Sequence, residues 1–224
     1  RRVRLAALRS LKSLAFNGEI DPVLQHAPRT LIDDDTEVAD ELFSLFDAGH
    51  AISPESLTEE QIRALLGKLE AVSQLDKHWI RTFLDHASRR TSEAVFDLLI
   101  HRLELAPDRE VGYHTIGPGR IEELQSPETL EGLRESDDYE DMLREVRSYL
   151  LNEDVSAYMA SNLFLSLSNG LDETGLEILN EWIESGEEEK MKAACRVFHD
   201  IAYDFVLEYP DFVQDTLESA ESHS

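Results

Sequence analysis

The fold class of this chain is decided by the stretch MKAACRVFHDIAYDFVLEY, residues Met191–Tyr209. Its apolar residues recur at intervals of three and four, the spacing that places side chains on one face of an α-helix. They are Met191, Ala194, Cys195, Phe198, Ile201, Ala202, Phe205, Val206 and Tyr209. Similar stripes fill most of the sequence, whereas the alternation typical of half-buried β-strands is nearly absent. The pattern predicts an all-α protein of about ten helices.

The composition is strongly acidic. The chain has 47 Asp and Glu residues against 21 Lys and Arg residues, a formal net charge of −26 over 224 residues. A protein that binds duplex DNA through its phosphates needs a basic face, so this class is disfavoured. We expect the acidic surface to favour basic partners, and adaptation of the whole proteome to high salt is the alternative explanation.

The first sixteen residues, RRVRLAALRSLKSLAF, reverse this balance. They carry five positive charges and no acidic residue. Asn17 and Gly18 follow, a pair that commonly ends a helix. We expect a basic helix over 1–16 that docks on the acidic body, and contact with an anionic membrane or a nucleic acid is the alternative.

The single cysteine, Cys195, lies on the apolar stripe and is predicted to be a buried structural thiol. One cysteine forms no disulfide within the chain, which suits a reducing compartment, and we therefore expect the cytoplasm. No apolar run approaches the ~18 residues that a membrane span needs. Trp79 and Trp182 are both predicted to be core residues.

Three helix ends are similar in sequence, namely Phe83-Leu84-Asp85, Tyr149-Leu150-Leu151 and Trp182-Ile183-Glu184. The intervals between them are 66 and 33 residues, which fits a unit of 33 residues in which one helix follows another after a tight turn. The segment NEWIESGEEEKMKAACRVFHDIAYDF, with Ala193 and Ala194 near the start of its second helix, resembles a HEAT pair. The resemblance covers residues 58–209.

The resemblance to HEAT-like α-solenoids implies a superhelix of stacked antiparallel helix pairs that presents a curved binding surface. Most members of this class bind proteins or peptides, and a DNA glycosylase branch uses a basic concave face. We expect residues 1–224 to form a single all-helical repeat domain, with the basic helix 1–16, an inserted loop at 107–120 and an acidic tail at 218–224. The chain either stands alone or belongs to a larger chain or complex.

No catalytic motif stands out. The sequence contains no G-x-x-x-x-G-K-[ST], G-x-G-x-x-G, H-E-x-x-H or G-x-S-x-G pattern. The dipeptide His199-Asp200 resembles the centre of the metal-dependent HD phosphohydrolases, a family that also needs an earlier histidine and a later aspartate. His86 or His101 would supply the former, and Asp204 or Asp211 would lie unusually close as the latter.

The loop 107–120, PDREVGYHTIGPGR, is the long Gly- and Pro-rich stretch of the chain. Its cationic and aromatic side chains, Arg109, Tyr113, His114 and Arg120, are the candidate partner-binding residues, because loops of this length inside compact domains are often functional. A connector that packs Tyr113 against the helices is the structural alternative.

These observations favour a non-catalytic scaffold or regulatory module that binds a protein with a basic surface and needs no cofactor. One alternative is an acidic mimic of nucleic acid that inhibits a DNA-binding protein. The other is a hydrolase, either an HD-type phosphohydrolase or a HEAT-like DNA glycosylase.

Overall fold

The protein is all-α in the part of the chain that the structure, a computed structural model, describes: residues 1–31, 35–46, 52–75, 77–105 and 130–199. These residues form eleven α-helices and two short 3₁₀ helices, Ala27–Thr30 and Pro54–Ser56, and contain no strand. The prediction of an all-α protein is therefore confirmed for these residues. The helices are α1 (Arg2–Phe16), α2 (Ile20–His26), α3 (Thr36–Phe43), α4 (Glu59–Leu66), α5 (His78–Arg90), α6 (Ser92–Leu105), α7 (Glu131–Arg134), α8 (Tyr139–Tyr149), α9 (Ala157–Leu167), α10 (Glu173–Glu184) and α11 (Glu188–His199).

The chain divides into two compact units. The first comprises Arg1–Pro118 and Ser126–Ser136, and the second comprises Gly119–Gln125 and Asp137–Ser224. The single domain over residues 1–224 stays a prediction. None of the described helices is long and apolar enough to cross a membrane.

Local capping explains where several helices begin. The Thr58 hydroxyl accepts from the Gln61 N–H at 3.2 Å, and the Gln61 side chain accepts from the Thr58 N–H at 2.8 Å, which completes a capping box at the start of α4. Asp172 caps α10, since its carboxylate accepts from the Gly175 N–H at 2.9 Å. Asp35 caps α3, because its carboxylate accepts from the Val38 N–H at 3.2 Å.

In the first unit, alternate helices contact each other. Helix α3 contacts α1 and α5, α5 contacts α7, and α4 contacts α6. Three phenylalanines form the aromatic centre of the contact between α3 and α5, with the rings of Phe43 and Phe83 4.7 Å apart and Phe46 6.0 Å from Phe83. Aromatic rings at these separations add to the free energy of apolar burial.

The basic helix α1 is docked on α3 through ion pairs. Arg1 and Arg4 lie 3.7 Å and 3.5 Å from the Asp35 carboxylate, and Arg9 lies 3.5 Å from Glu41. Arg1 also pairs with Glu37. The expected docking of the basic helix on acidic residues is therefore present within the first unit.

Helix α5 is held by residues that are distant in sequence. The carboxylate of Asp40, on α3, accepts from the N–H groups of Trp79 and Ile80 at 2.9 Å and 3.4 Å, so it serves as an N-cap supplied by another helix. At the contact between α5 and α7, Gly132 of α7 lies very close to the α5 backbone. A Cβ added at this position would lie 2.3 Å from the Arg89 backbone nitrogen. Only glycine allows this approach.

The second unit repeats the alternating contacts. Helix α8 contacts α9 and α10, and α11 contacts α9 and α10. The Tyr139 hydroxyl at the start of α8 donates to Asp172, the cap of α10, at 2.6 Å. Trp182 is buried, with 7% of its surface exposed, whereas Trp79 in the first unit is half-buried. The core prediction is confirmed for Trp182 and only partly for Trp79.

Two sequence interpretations need correction. Cys195 is exposed rather than buried, because α11 turns Ala193, Ala194 and Val197 inward instead. Phe83–Asp85 lie in the middle of α5 and not at a helix end, so the interval of 66 residues does not join equivalent points. The superhelical arrangement of the predicted repeat stays a prediction, and the acidic tail 218–224 lies outside the described residues.

Candidate partner-binding cleft

The loop residues singled out from the sequence, Arg109, Tyr113, His114 and Arg120, lie outside the described residues. Their proposed role in partner binding therefore stays a prediction. The described residues offer a different candidate, a cleft in the first unit.

The candidate is an open cleft of about 320 Å³ between α4 and α6, which we call the α4–α6 cleft. This volume lies near the lower end of the range for small-ligand pockets. Its lining residues are Arg63, Leu66, Gly67, Glu70, Ala94, Asp97, Leu98 and His101.

The two walls share one sequence spacing. Each contributes residues at positions i, i+3, i+4 and i+7, counted from Arg63 on one wall and from Ala94 on the other, and the two sets are offset by a constant 31 residues. On α6 this spacing forms one helix face, whereas α4 ends at Leu66, so Gly67 and Glu70 belong to the turn that follows it. One wall is therefore a face of α6, and the other is the end of α4 with the turn after it.

The floor of the cleft is apolar. Leu66, Ala94 and Leu98 are all buried. Gly67 adds no side chain to the wall, and the nearest atoms to a Cβ built there, on Arg63 and Glu70, lie 3.7 Å away. A partner group that enters the cleft would therefore pass the charged rim before it reaches the apolar floor.

Charged groups line the rim in opposite-sign pairs with one exception. Arg63 Nη2 lies 3.2 Å from Glu93 Oε2, and His101 Nε2 lies 3.6 Å from Glu70 Oε2. The exception is Asp97, which makes no hydrogen bond or ion pair with the described residues. An exposed carboxylate without a partner can accept a cationic group from another molecule at little desolvation cost.

A buried arginine positions one end of the cleft. Arg102 has no exposed surface. Its Nη1 donates to the backbone oxygens of Leu69 and Val72, both at 2.6 Å, and of Glu70 at 3.3 Å. These bonds hold the turn after α4, and the position of the Glu70 side chain opposite His101 depends on that turn.

A second charged cluster lies in the second unit. Glu181 on α10 accepts from Arg144 at 2.5 Å and from Arg147 at 2.9 Å, both on α8. Hydrogen bonds from Arg144 and then Arg147 lower the pKa of Glu181 to about 2, and the same carboxylate raises the pKa of Arg144. The Arg147 guanidinium also lies 4.8 Å from the Trp182 ring centroid. The Arg147 Nε is buried without a hydrogen-bond partner, whereas the other contacts of Arg144, Arg147 and Glu181 run between α8 and α10. The cluster therefore joins two helices.

The HD-type phosphohydrolase hypothesis requires a metal site. The described residues contain no group of three or more His, Cys, Asp or Glu side chains placed to hold an ion. His199 ends α11 in the second unit, whereas His86 and His101 lie in the first. Asp200, Asp204 and Asp211 lie outside the described residues, so the HD-type interpretation stays a hypothesis.

The chain has no significant match among protein-family models, curated proteins or solved structures. The HEAT-like resemblance is therefore carried by the sequence pattern alone.

Sequence reasoning missed the cleft. It considered His101 as a candidate histidine of an HD-type site, whereas the structure places Glu70 opposite His101. The sequence signal available for the cleft was the pair of residue sets with i, i+3, i+4, i+7 spacing that begin at Arg63 and Ala94, 31 residues apart. They become informative only once α4 and α6 are known to be neighbours.

Proposed function

We propose that this protein is a non-catalytic protein-interaction module that binds a basic segment of a partner protein in the α4–α6 cleft. One observation carries the proposal: an apolar floor bordered by carboxylates, one of which, Asp97, has no partner among the described residues. Apolar contact with a polar rim is the usual composition of a binding surface. The net charge of −26 favours association with a basic partner over an acidic one.

We also propose that each unit is a short α-solenoid of the HEAT-like class. The support is the contact of alternate helices, α3 with α5, α5 with α7 and α4 with α6 in one unit, and α8 with α10 and α9 with α11 in the other. Stacked helix pairs make such contacts because each pair packs on the preceding one. In a solenoid, the first helices of successive pairs form one layer and the second helices form the other. A crystal structure that shows two such layers in each unit would support the proposal, and closed bundles without layers would contradict it.

The binding proposal is tested by photo-crosslinking from the cleft. A photoreactive amino acid is placed at position 101 of the full chain, which lines the cleft and leaves Asp97 in place, and at position 141 as a control. Asp141 suits this purpose because it is exposed on α8, outside the cleft. In lysate of the source organism, we expect a basic protein to crosslink from position 101 and not from position 141. Raising the salt should weaken the crosslink, because salt screens attraction between exposed charges.

A second variant separates cleft binding from surface charge. Gly67→Leu fills the cleft without altering any charge, and Gly67 has a φ of −58° that leucine adopts without strain. We expect Gly67→Leu to abolish the crosslink. The crosslinking chain is compared with and without Gly67→Leu. Equal crosslinking by the two would refute the proposed cleft function.

A further inference from the structure

We infer that Asn17 is a site of spontaneous deamidation, at which the side-chain amide reacts with the backbone of Gly18 and is converted to a carboxylate. The sequence contains two Asn-Gly pairs, Asn17-Gly18 and Asn169-Gly170. Glycine after asparagine favours this reaction, because no Cβ atom shields the glycine nitrogen. The structure distinguishes the two pairs, and the inference does not depend on the proposed binding function.

The reaction needs only the two residues and water. The Gly18 nitrogen forms a bond to Cγ of Asn17, and the side-chain amide leaves as ammonia with the proton that the Gly18 nitrogen gives up. Water then opens the resulting cyclic imide at one of its two C–N bonds. Opening at one bond gives aspartate, and opening at the other gives isoaspartate, whose link to Gly18 runs through the side chain. No electrons are transferred in either step.

The first pair lies at an end of α1 that is open to solvent. Asn17 directly follows the helix, and both Asn17 and Gly18 are exposed. The Gly18 N–H donates to the Ala15 backbone oxygen at 2.9 Å, and the Asn17 amide donates to the Ser13 backbone oxygen at 2.9 Å. A Cβ added at Gly18 would meet no atom within 4 Å, so the space beside the reacting nitrogen is open. Fraying of the last turn therefore frees both reacting groups, and Ala15 is the one buried residue from Ser13 to Gly18.

The second pair is held by buried neighbours. Asn169 is exposed, but Ser168 and Leu171 on either side of the pair are buried. The Gly170 N–H donates to the backbone oxygen of Leu165 at 2.7 Å, and Leu165 has no exposed surface. Freeing the Gly170 nitrogen therefore requires an opening of the core of the second unit. Such an opening costs more free energy than the fraying of an exposed helix end.

Deamidation at Asn17 changes the end of α1 in two ways. A carboxylate at this position has no N–H, so the hydrogen bond to the Ser13 oxygen is lost. Its negative charge also lies at the C-terminus of the helix, where the helix dipole disfavours anions. The product should therefore loosen the last turn of α1, whereas the ion pairs of Arg1 and Arg4 with Asp35 lie at the other end of the helix.

The test is peptide mapping by mass spectrometry after incubation of the folded full chain at mildly alkaline pH. A deamidated peptide gains the mass difference between OH and NH₂, and chromatography separates the aspartate and isoaspartate forms. We expect Asn17 to deamidate about tenfold faster than Asn169, because its reacting nitrogen is freed by fraying. Equal rates at the two positions, or a faster reaction at Asn169, would overturn the inference.

Two controls separate structure from local sequence. In concentrated urea, Asn17 and Asn169 should react at similar rates, because both are followed by glycine and the folded structure no longer protects either. The same rate difference in urea would show that the flanking sequence selects Asn17 and would overturn the structural argument. Asn17→Gln keeps an amide but needs a larger ring to react, so deamidation at position 17 should stop. An undiminished rate in this variant would contradict the cyclic-imide route.

A further pair of variants tests the effect on α1. Asn17→Asp carries the carboxylate of the product and should speed hydrogen exchange in the last turn of α1 several-fold. Asn169→Asp adds the same charge in the second unit and should leave exchange in α1 unchanged. Equal exchange in the two variants would overturn the predicted loosening of the helix end.

Discussion

Replacing Arg102 with methionine is expected to destabilise the first unit by about 3–5 kcal/mol. Arg102 has no exposed surface and donates at 2.6 Å to the backbone oxygens of Leu69 and Val72. A hydrogen bond from a charged donor contributes about 1.5–3 kcal/mol, and its loss here leaves two buried carbonyls without that donor. Methionine fills most of the space of the arginine stem, so the expected loss comes from hydrogen bonding rather than from a cavity.

The assay is urea unfolding followed by far-ultraviolet circular dichroism, with hydrogen exchange measured over residues 69–73. The matched control is Arg90→Met. Arg90 also donates to backbone oxygens, those of Pro54 and Glu55 at 3.0 Å and 3.3 Å, but it is exposed to solvent. Because water can replace the lost donor at this exposed position, Arg90→Met should lower the free energy of unfolding by less than about 1 kcal/mol. Equal losses in free energy of unfolding for the two variants would refute the reasoning that burial sets the cost.

Three further predictions concern helix contacts and charge. Gly132→Ala places a Cβ 2.3 Å from the backbone of α5 and should cost about 1–3 kcal/mol or more in urea unfolding. Gly67→Ala, whose nearest neighbours lie 3.7 Å away, should be neutral or slightly stabilising, and equal effects of the two glycine variants would contradict the close approach of α7. Asp40→Ala removes the cap of α5 and should lower the free energy of unfolding by about 1–2 kcal/mol, whereas an unchanged Tm would show that the cap contributes nothing. The pKa of Glu181, lowered to about 2 from 4.5, should rise towards 4.5 in Arg144→Gln when followed by carboxyl carbon resonances. Because the folded pKa is depressed, the stabilisation from Glu181 is present above pH 4.5 and is lost as the pH falls towards 2, with a small amplitude since the side chain is 46% exposed. A Glu181 pKa that does not change in Arg144→Gln would rule out the bridge as its cause.

The helices were largely predictable because the signals that specify them are local. Apolar residues three and four apart predict a helix, and Thr58 or Asp172 before such a run predicts its start. The prediction for Cys195 was wrong for a related reason. The buried residues of α11 include Ala194 from the predicted stripe, but Ala193 and Val197 lie on the adjacent one. Periodicity alone does not determine which of two adjacent stripes faces the core.

The candidate site was not predictable in the same way. The cleft needs Arg63 and Glu70 from one region and Asp97 and His101 from another, offset by 31 residues. The sequence shows only that each set has the spacing of one helix face, and the structure places Glu70 on the turn after α4. It does not show that the two faces are neighbours, because that depends on packing across the whole first unit.

The sequence by itself determined that the chain is helical and where many helices begin and end. It also predicted that the basic first helix would pack against acidic residues of the same chain. These properties depend on residues a few positions apart or on net charge. Only the tertiary structure decided that Asp40 caps a helix about forty residues away, that Arg102 holds the turn carrying Glu70, and that α4 and α6 enclose a cleft. The physical reason is that hydrogen bonds and apolar contacts between distant segments form only when the chain packs. Many different pairings of amphipathic faces would satisfy the same local pattern.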